Sequence, residues 1–360
     1  MNLPLEFSDF SQELTVARQP SLEALLRRFE NIHREPDSPV RAIHHQPSPE
    51  GEYCAMPEEA APALGQALAA RGVERLYVHQ GEAFAHAHAG RNVVVVTPTA
   101  SGKTLCYNLP VLNRLIADPG ARAMYLFPTK ALAEDQLHEL QGALDEMGSE
   151  VRAFTYDGDT PQDARKAIRQ RANIVLSNPD MLHSGILPHH TRWSRYFENL
   201  RYVVIDELHY YRGVYGSHLA NLLRRLARIC EFYGSKPAFI CCSATIANPK
   251  ELAEALTGEP LELVARSGAP RGEKFFILYK PPVVNRELGI RRSYINETRR
   301  IALEFIERNL QTLVFANNRL ATEILVTYLK DACDRGRFPS ESVRGYRGGY
   351  LPRERRDIER

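Results

Sequence analysis

Short apolar runs alternate with stretches of helical spacing from about residue 60 onwards. The runs are Val93 to Val96, Ala123 to Phe127, Ile174 to Leu176, Tyr202 to Ile205 and Phe239 to Cys242. Each run is continuous and does not alternate in polarity, which is typical of strands buried on both faces of a parallel sheet. Between them, residues 105–117 and 218–232 have apolar positions at helical period. Repeated strand-helix units of this kind predict a doubly wound α/β domain.

The residues before this pattern predict an N-terminal extension over 1–55. Within it, Ser21 to Ile32 has apolar side chains at helical spacing and predicts an amphipathic helix. A polar segment with His44 and His45 follows and is interpreted as a loop. Two histidines could indicate a metal site, but no further ligands lie nearby in the sequence, so we assign them no role.

A second block begins after residue 270. Phe275 to Tyr279 and Thr312 to Ala316 predict buried strands, and Asn296 to Arg308 and Leu320 to Leu329 predict helices. An arginine-rich tail, which could be a solvated helix face, ends the sequence. Because this block is too small for a closed α/β domain, we expect it to be incomplete or to depend on a partner. The predicted domains are therefore 1–55, 56–270 and 271–360.

Composition narrows the class only slightly. Of 360 residues, 44% are hydrophobic and 25% are charged, and the formal net charge is +2, which is close to the average for globular proteins and is no argument for a nucleic-acid partner. The six cysteines lack zinc-ligand spacing, so we expect reduced buried thiols and no zinc. No targeting segment or membrane span is apparent, and we expect a cytoplasmic protein.

The segment TPTASGKT, Thr97 to Thr104, follows an apolar run directly and precedes a helical stretch. Strand, loop and helix in this order form the context of a phosphate-binding loop, in which backbone N–H groups and the helix N-terminus surround a phosphate. Lys103 would reach the β- and γ-phosphates, and the Thr104 hydroxyl would bind Mg²⁺. The alternative is a Gly-Lys-Thr turn that opens an ordinary helix. The predicted ATP-binding residues of this loop are Thr99, Ala100, Ser101, Gly102, Lys103 and Thr104.

The segment VVIDELH, Val203 to His209, ends an apolar run with two adjacent acids. Asp206 would hold Mg²⁺, and Glu207 would orient and deprotonate the attacking water. Two adjacent acids also occur at solvated strand ends. The position of Asp206 and Glu207 downstream of a phosphate-binding loop in an alternating α/β pattern favours the catalytic interpretation.

The order of these motifs resembles that of superfamily 2 helicases of the DEAD/DEAH-box (DExH) type. CSAT, ending at Thr245, follows the next apolar run and completes the order GKT, DExH, SAT. In addition, LYVHQ resembles the Q motif, FPTKALAEDQ motif Ia, SNPDML a later strand-contacting motif, and VFANNRLATEIL motif IV. The resemblance implies a RecA-like fold for 56–270 and the beginning of a second RecA-like domain in 271–360.

The resemblance also implies roles for individual residues. Gln80 would read adenine, and Ser243 and Thr245 would couple hydrolysis to strand movement, with His209 contacting that motif. A Ser-Ala-Thr turn that merely leads into the next helix, beginning near Asn248, is the alternative. The residues implied to contact nucleic acid are Pro128, Thr129, Lys130, Gly158, Asp159, Thr160, Asn178, Pro179, Asn317 and Arg319.

A narrower resemblance is carried by LYVHQ, TASGKTLCYNLPVL, DELHYYRGVYGSHLANLLRRL and YRGGYLPRERRDIE, which are similar to the YprA-type branch related to RecQ and to mitomycin-repair helicases. It implies 3′ to 5′ movement on DNA, favoured over RNA because DELH replaces the DEAD box typical of RNA helicases. Such motors continue with motifs V and VI, which supply an arginine finger. Neither motif is found in these 360 residues, so we expect an incomplete motor with poor ATPase activity.

Two functional hypotheses follow. The first is an ATP-dependent and Mg²⁺-dependent helicase or translocase that acts on single-stranded or partly duplex DNA. The second is a nucleotide-regulated module that binds nucleic acid without productive hydrolysis.

Overall fold

The computed structural model describes residues 20–334 and 339–350, together with residue 358. Within these, the chain divides into two units. Unit 1 comprises Pro49–Arg271, and unit 2 combines residues 20–48 with the described residues from Gly272 onwards. Much of the predicted arginine-rich tail and the first 19 residues lie outside the described ranges.

The strands, in chain order, are β1 (Val40–Gln46), β2 (Tyr53–Cys54), β3 (Leu76–Tyr77), β4 (Val93–Val96), β5 (Arg122–Leu126), β6 (Ala153–Thr155), β7 (Ile174–Ser177), β8 (Leu200–Ile205), β9 (Ala238–Ser243), β10 (Glu262–Val264), β11 (Lys274–Tyr279), β12 (Val283–Asn285) and β13 (Ile290–Arg291).

The α-helices are α1 (Pro20–His33), α2 (Pro62–Ala70), α3 (Val78–His88), α4 (Lys103–Ala117), α5 (Lys130–Glu146), α6 (Gln162–Arg171), α7 (Pro179–Met181), α8 (Ser194–Glu198), α9 (Gly213–Phe232), α10 (Pro249–Thr257), α11 (Tyr294–Ile306) and α12 (Arg319–Asp334). A π-helical turn spans Leu182–Ile186, and 3₁₀ turns span Leu187–Trp193, Leu208–Tyr210 and Ser340–Ser342. Among the described residues, no helix combines the length and apolar character needed to cross a membrane.

Unit 1 is built on a seven-stranded sheet with the order β10-β4-β9-β8-β5-β7-β6. All six neighbouring pairs are parallel, and the predicted doubly wound α/β fold is confirmed. The five apolar runs of the sequence form the five contiguous central strands. The two edge strands, β6 and β10, are short and only partly buried, so they lack the continuous apolar run that marks a central strand.

Helices cover both faces of this sheet. Alternate residues of each strand point to opposite faces, so Val93 and Val95 join the core beneath α3, α4 and α5. Val94 and Val96 join the core beneath α9, and Trp193 belongs to the same core. The parallel arrangement places the loop after every strand at one edge of the sheet, the carboxyl edge.

Unit 2 differs from the predicted second block in two respects. The segment with His44 and His45 is not a loop and does not belong to a separate extension, because it forms β1, which pairs antiparallel with β11. The His45 ring stacks on Phe275 with 4.4 Å between ring centroids, and its Nε2 lies 2.5 Å from Glu273 Oε1. Because the partner strand lies far along the chain, local polarity did not reveal this pairing.

The strand predicted over residues 312–316 is wrong. This segment has no strand structure, and Leu313 and Phe315 are 79% and 88% exposed. A strand requires a hydrogen-bonded neighbour, and the described residues of unit 2 pair only β1 with β11 and β12 with β13. The helices were predicted correctly: α11 packs against α12, with Ala302, Leu329 and Cys333 in a small core.

Candidate nucleotide and nucleic-acid site

Three predicted motifs follow three adjacent strands of unit 1. The phosphate-binding loop follows β4, the Ser243–Thr245 motif lies at the end of β9, and Asp206 directly follows β8. The ladder aligns Val96 of β4 with Ser243 of β9. The β4, β9 and β8 ends therefore form one half of the carboxyl edge, which we call the nucleotide half.

The phosphate-binding loop has the backbone of an anion cradle. Gly102 has φ +72° and Ala100 has φ +60°, both in the left-handed region, and Thr99, Ala100 and Gly102 are exposed. Helix α4 begins at Lys103, so its N-terminal N–H groups face the loop. Lys103 Nζ donates to the carbonyls of Thr97 at 3.0 Å and Pro98 at 3.1 Å. The ammonium is thereby held over the loop where a nucleotide phosphate would lie.

Three polar side chains brace this loop. The buried hydroxyls of Thr97 and Ser101 are 2.6 Å apart, so Thr97 closes the loop at the position where a strict phosphate-loop pattern has glycine. Gln80 Nε2 donates to the Gly102 carbonyl at 2.9 Å, and its Oε1 accepts from the Tyr77 N–H at 2.9 Å. Gln80 as a whole is 2% exposed. The structure therefore places Gln80 against the loop, and its predicted contact with adenine stays a prediction.

Asp206 and Glu207 lie on the opposite side of the nucleotide half. Burial raises the pKa of Asp206 to about 6, although the Glu207 N–H and Lys103 oppose the shift. A partly buried carboxylate with too little compensating charge fits a divalent cation, because a bound cation favours its ionised form. Glu207 has φ +52°, an unusual conformation for a residue other than glycine. Its side chain is partly exposed beside Asp206, as a group that must reach water requires.

The coupling motif contains unsatisfied polar groups. Ser243 is fully buried and its Oγ has no hydrogen-bond partner among the described residues. His209 Nδ1 lies 3.2 Å from Glu207 Oε2 but without hydrogen-bond geometry. The turn Leu208–Tyr210 packs against β9, which ends at Ser243. Thr245 is exposed. A buried polar atom without a hydrogen-bond partner costs free energy of folding. Such atoms can gain a partner when a nucleotide binds, and this suits a motif that responds to nucleotide.

The other half of the carboxyl edge, the strand half, contains the loops after β5, β7 and β6. Thr129 Oγ1 accepts from the Leu132 N–H and caps α5, and Asn178 Oδ1 accepts from the Met181 N–H and caps α7. These caps form helix-start loops that include the predicted residues Pro128, which is partly exposed, and Pro179, which is buried, so a contact of the Pro179 side chain with nucleic acid stays a prediction. Such loops suit contacts to phosphates that do not read sequence.

The third loop of the strand half is preorganised by Asp157, whose Oδ1 accepts from the N–H groups of Asp159 and Thr160. Lys130 Nζ lies 2.6 Å from Asp159 Oδ2, and this pair raises the pKa of Lys130. The pair is exposed, so its contribution to stability is small. Gly158 lies in the same loop. Asn317 and Arg319 are exposed in unit 2, and the contacts predicted for them stay predictions.

A model of the DEAD/DEAH box helicase family matches residues 77–252. The chain belongs to this family. It is 56% identical over 305 residues to the uncharacterized ATP-dependent helicase YprA of Bacillus subtilis, covering 85% of this chain and 41% of that protein. It is 38% identical over 328 residues to the ATP-dependent helicase hrq1 of Schizosaccharomyces pombe, covering 88% of this chain and 31% of that protein. The predicted YprA-type resemblance is confirmed.

A crystal structure of the DUF1998 helicase MrfA bound to DNA and AMPPNP has a TM-score of 0.88 and 52% identity to this chain. The match covers 93% of this chain and 46% of that one. A second structure of MrfA, bound to DNA, has a TM-score of 0.90 and covers 95% of this chain and 47% of the other. The chain thus spans less than half the length of these relatives.

Two residues of the helicase motifs were missed by sequence reasoning. His79 is fully buried, its Nε2 lies 2.9 Å from the Ser101 carbonyl, and its Nδ1 accepts from the Gly268 N–H at 3.1 Å. Tyr107 is also fully buried beside Asp206. Both are polar residues among the mainly apolar buried positions of their helices, which was the available signal. Their hydrogen-bond partners are distant in sequence, so the polar character of His79 and Tyr107 did not indicate what they contact.

The six cysteines are all free thiols, and five are buried while Cys54 is half-buried.

Proposed function

We propose that this chain binds ATP and Mg²⁺ in the nucleotide half and supplies that site to an ATP-dependent helicase or translocase acting on DNA. One observation carries the proposal: the phosphate-binding loop, the partly buried Asp206 and the unsatisfied Ser243 lie at the ends of three adjacent strands. A nucleotide bound by the loop would lie against all three. We further propose that the protein works in the cytoplasm, in association with the nucleoid if the organism is a bacterium.

The residues have separate tasks in this proposal. The loop from Thr99 to Thr104 surrounds the phosphates with N–H groups, and Lys103 neutralises their charge. Thr104 and Asp206 are the protein groups that would hold Mg²⁺, which supplies charge neutralisation at the phosphates when bound. Glu207 orients the attacking water and accepts its proton.

Coupling to movement is assigned to the junction of the two halves. Ser243, Thr245 and His209 respond to nucleotide, and the strand half grips the backbone of a single strand through helix N-termini and Lys130. DNA is favoured over RNA, and movement from 3′ to 5′ is inferred from the YprA-type resemblance. The crystal structures of MrfA with bound DNA support that preference.

In the chain extended through motifs V and VI, Glu207→Gln is expected to retain affinity for ATP and Mg²⁺ within about 3-fold and to lose ATP turnover by about 100-fold or more, since an amide cannot take a proton from water. Steady-state ATP hydrolysis with single-stranded DNA present measures this. The control is Glu134→Gln, an exposed glutamate of α5.

Turnover in Glu207→Gln equal to that of the wild type would mean that another residue is the base. If the wild type binds ATP tightly but does not hydrolyse it, the chain is the nucleotide-regulated binding module of the second hypothesis.

A further inference from the structure

A buried tyrosine connects the two halves of the carboxyl edge. Tyr107 lies in the first two turns of α4, shortly after Lys103, and is fully buried. Its hydroxyl oxygen lies 3.3 Å from Asp206 Oδ2 and 2.9 Å from Gln136 Oε1. The ring is fixed by an edge-on contact with Tyr125, with centroids 5.3 Å apart. One hydroxyl therefore touches both the candidate metal carboxylate and a second helix.

The second helix is the one that bears a strand-contacting loop. Gln136 belongs to α5, which begins at Lys130 and is capped by Thr129. Because a helix moves largely as a rigid body, a change in the hydrogen bond to Gln136 would also shift the start of α5. The Tyr107 hydroxyl and helix α5 thus connect Asp206 to the loop that includes Pro128.

The chemistry of this contact has two states. A hydroxyl has one proton, so Tyr107 donates to either Asp206 or Gln136 at one time. An ionised carboxylate is the stronger acceptor of the two. When the Asp206 charge is directed to a cation, its demand for the Tyr107 proton falls, and the Gln136 oxygen becomes the better acceptor.

We propose that Tyr107 is a positioning residue that shares its hydroxyl proton between Asp206 and Gln136, so that occupancy of the nucleotide half changes the affinity of the strand half for a single strand. This inference rests on the proposed function. It adds a second connection between the sites, separate from the coupling assigned above to Ser243, Thr245 and His209.

The test compares the affinity for a fluorescent 20-nucleotide oligothymidylate with and without a saturating non-hydrolysable ATP analogue and Mg²⁺. The ratio of the two dissociation constants measures the coupling, and we expect it to differ from one by about 5-fold or more in the wild type. Tyr107→Phe keeps the packed ring and removes the hydroxyl, and Gln136→Met removes the acceptor. Both are expected to bring the ratio to within about 2-fold of one.

The matched control is Tyr125→Phe. Tyr125 is equally buried, and its hydroxyl donates to Asn108 Oδ1 of the same helix at 2.9 Å without contacting Asp206. This variant is expected to keep the wild-type ratio. Circular dichroism establishes that each variant is folded, and Gln136→Met decides the question if Tyr107→Phe is not, because Gln136 is only partly buried.

Three results would contradict the inference. If Tyr107→Phe and Gln136→Met both keep the wild-type ratio, the hydroxyl does not connect the sites. If Tyr125→Phe loses the ratio equally, general packing is responsible. If the wild-type ratio is one, nucleotide and strand are not coupled and the inference fails, whereas the proposed binding of ATP and Mg²⁺ fails only if the wild type does not bind the nucleotide analogue.

Discussion

Asp206 must be ionised to hold a cation, but its removal from solvent disfavours the ionised form. Its carboxyl group is partly buried, and the loss of solvent raises its pKa to about 6 from an ordinary 3.8. The folded state therefore binds the proton more tightly than the unfolded chain, and the group lowers the stability of the fold as the pH rises from about 4 to about 6. Above that range the full cost applies, unless a cation compensates the charge.

Asp206→Asn is therefore expected to stabilise the ligand-free chain at pH 7.5 by about 2–3 kcal/mol, following 1.36 kcal/mol per pKa unit. The gain should shrink as the pH falls through 6 and should vanish near pH 4. Denaturant unfolding at several pH values measures the gain. The same variant should lose Mg²⁺-dependent nucleotide binding.

The control for this prediction is Asp135→Asn, which changes an exposed carboxylate of α5. A pH-independent gain in Asp206→Asn, or an equal gain in Asp135→Asn, would contradict the role assigned to burial.

Single residues were predictable from sequence to different degrees. Lys103, Thr104, Asp206 and Glu207 belong to contiguous motifs next to strands, so their convergence at one sheet edge followed from the parallel topology. Tyr107 acts through Asp206 and Gln136, which lie far from it along the chain, and local pattern could not reveal such contacts.

At the scale of elements, α3 is joined to the phosphate-binding loop and to the last segment of unit 1 through His79. Burial lowers the pKa of His79, with Lys103 adding to the shift, so the ring is neutral and bonds Ser101 and Gly268 from its two nitrogens. Gly268 is closely packed, since an added Cβ would lie 2.5 Å from the Glu52 carbonyl oxygen. The ring thus fixes two backbone segments at once.

His79→Phe is expected to lower the free energy of unfolding by about 2–4 kcal/mol, because it leaves two buried backbone groups without partners. Denaturant unfolding at pH 7.5 measures this loss. The lowered pKa means that the contribution of the wild-type histidine is fully present above about pH 6.5 and is lost as the pH falls.

His88→Phe, at an exposed position of the same helix, should change stability by less than about 0.5 kcal/mol. Equal losses in the two variants would show that the bonds of His79 contribute nothing specific.

The success of sequence prediction for whole elements depended on burial. The five central strands are covered on both faces, and their continuous apolar runs in the sequence indicated this burial. The edge strands β6 and β10 left no such run. The β1 pairing was hidden because β11 lies far along the chain, and residues 312–316 have an apolar pattern but no strand partner among the described residues.

At the scale of the whole molecule, the residues that we propose to bind nucleotide and DNA lie at the carboxyl edge of the unit 1 sheet. Lys130 lies at the carboxyl edge, whereas Lys236 precedes β9 at the amino edge. Single-stranded DNA should bind through phosphates, so its affinity should fall steeply with added salt.

Lys130→Ala should weaken binding of all single-stranded sequences similarly and should reduce the slope of log affinity against log salt by about 0.7, the value for one phosphate contact. Fluorescence anisotropy at a series of salt concentrations measures the slope. Lys236→Ala should leave the slope unchanged, and an equal effect of both variants would contradict the assignment of the strand half.

The central claim is that the loop Thr97–Thr104 binds the phosphates of ATP with Mg²⁺, and titration of a fluorescent ATP analogue tests it most directly. The wild type should bind the analogue in a Mg²⁺-dependent manner. Lys103→Ala should bind it at least about 100-fold more weakly, because the loop loses its only side-chain charge aimed at the phosphates. Unchanged affinity in a folded Lys103→Ala variant would contradict the account.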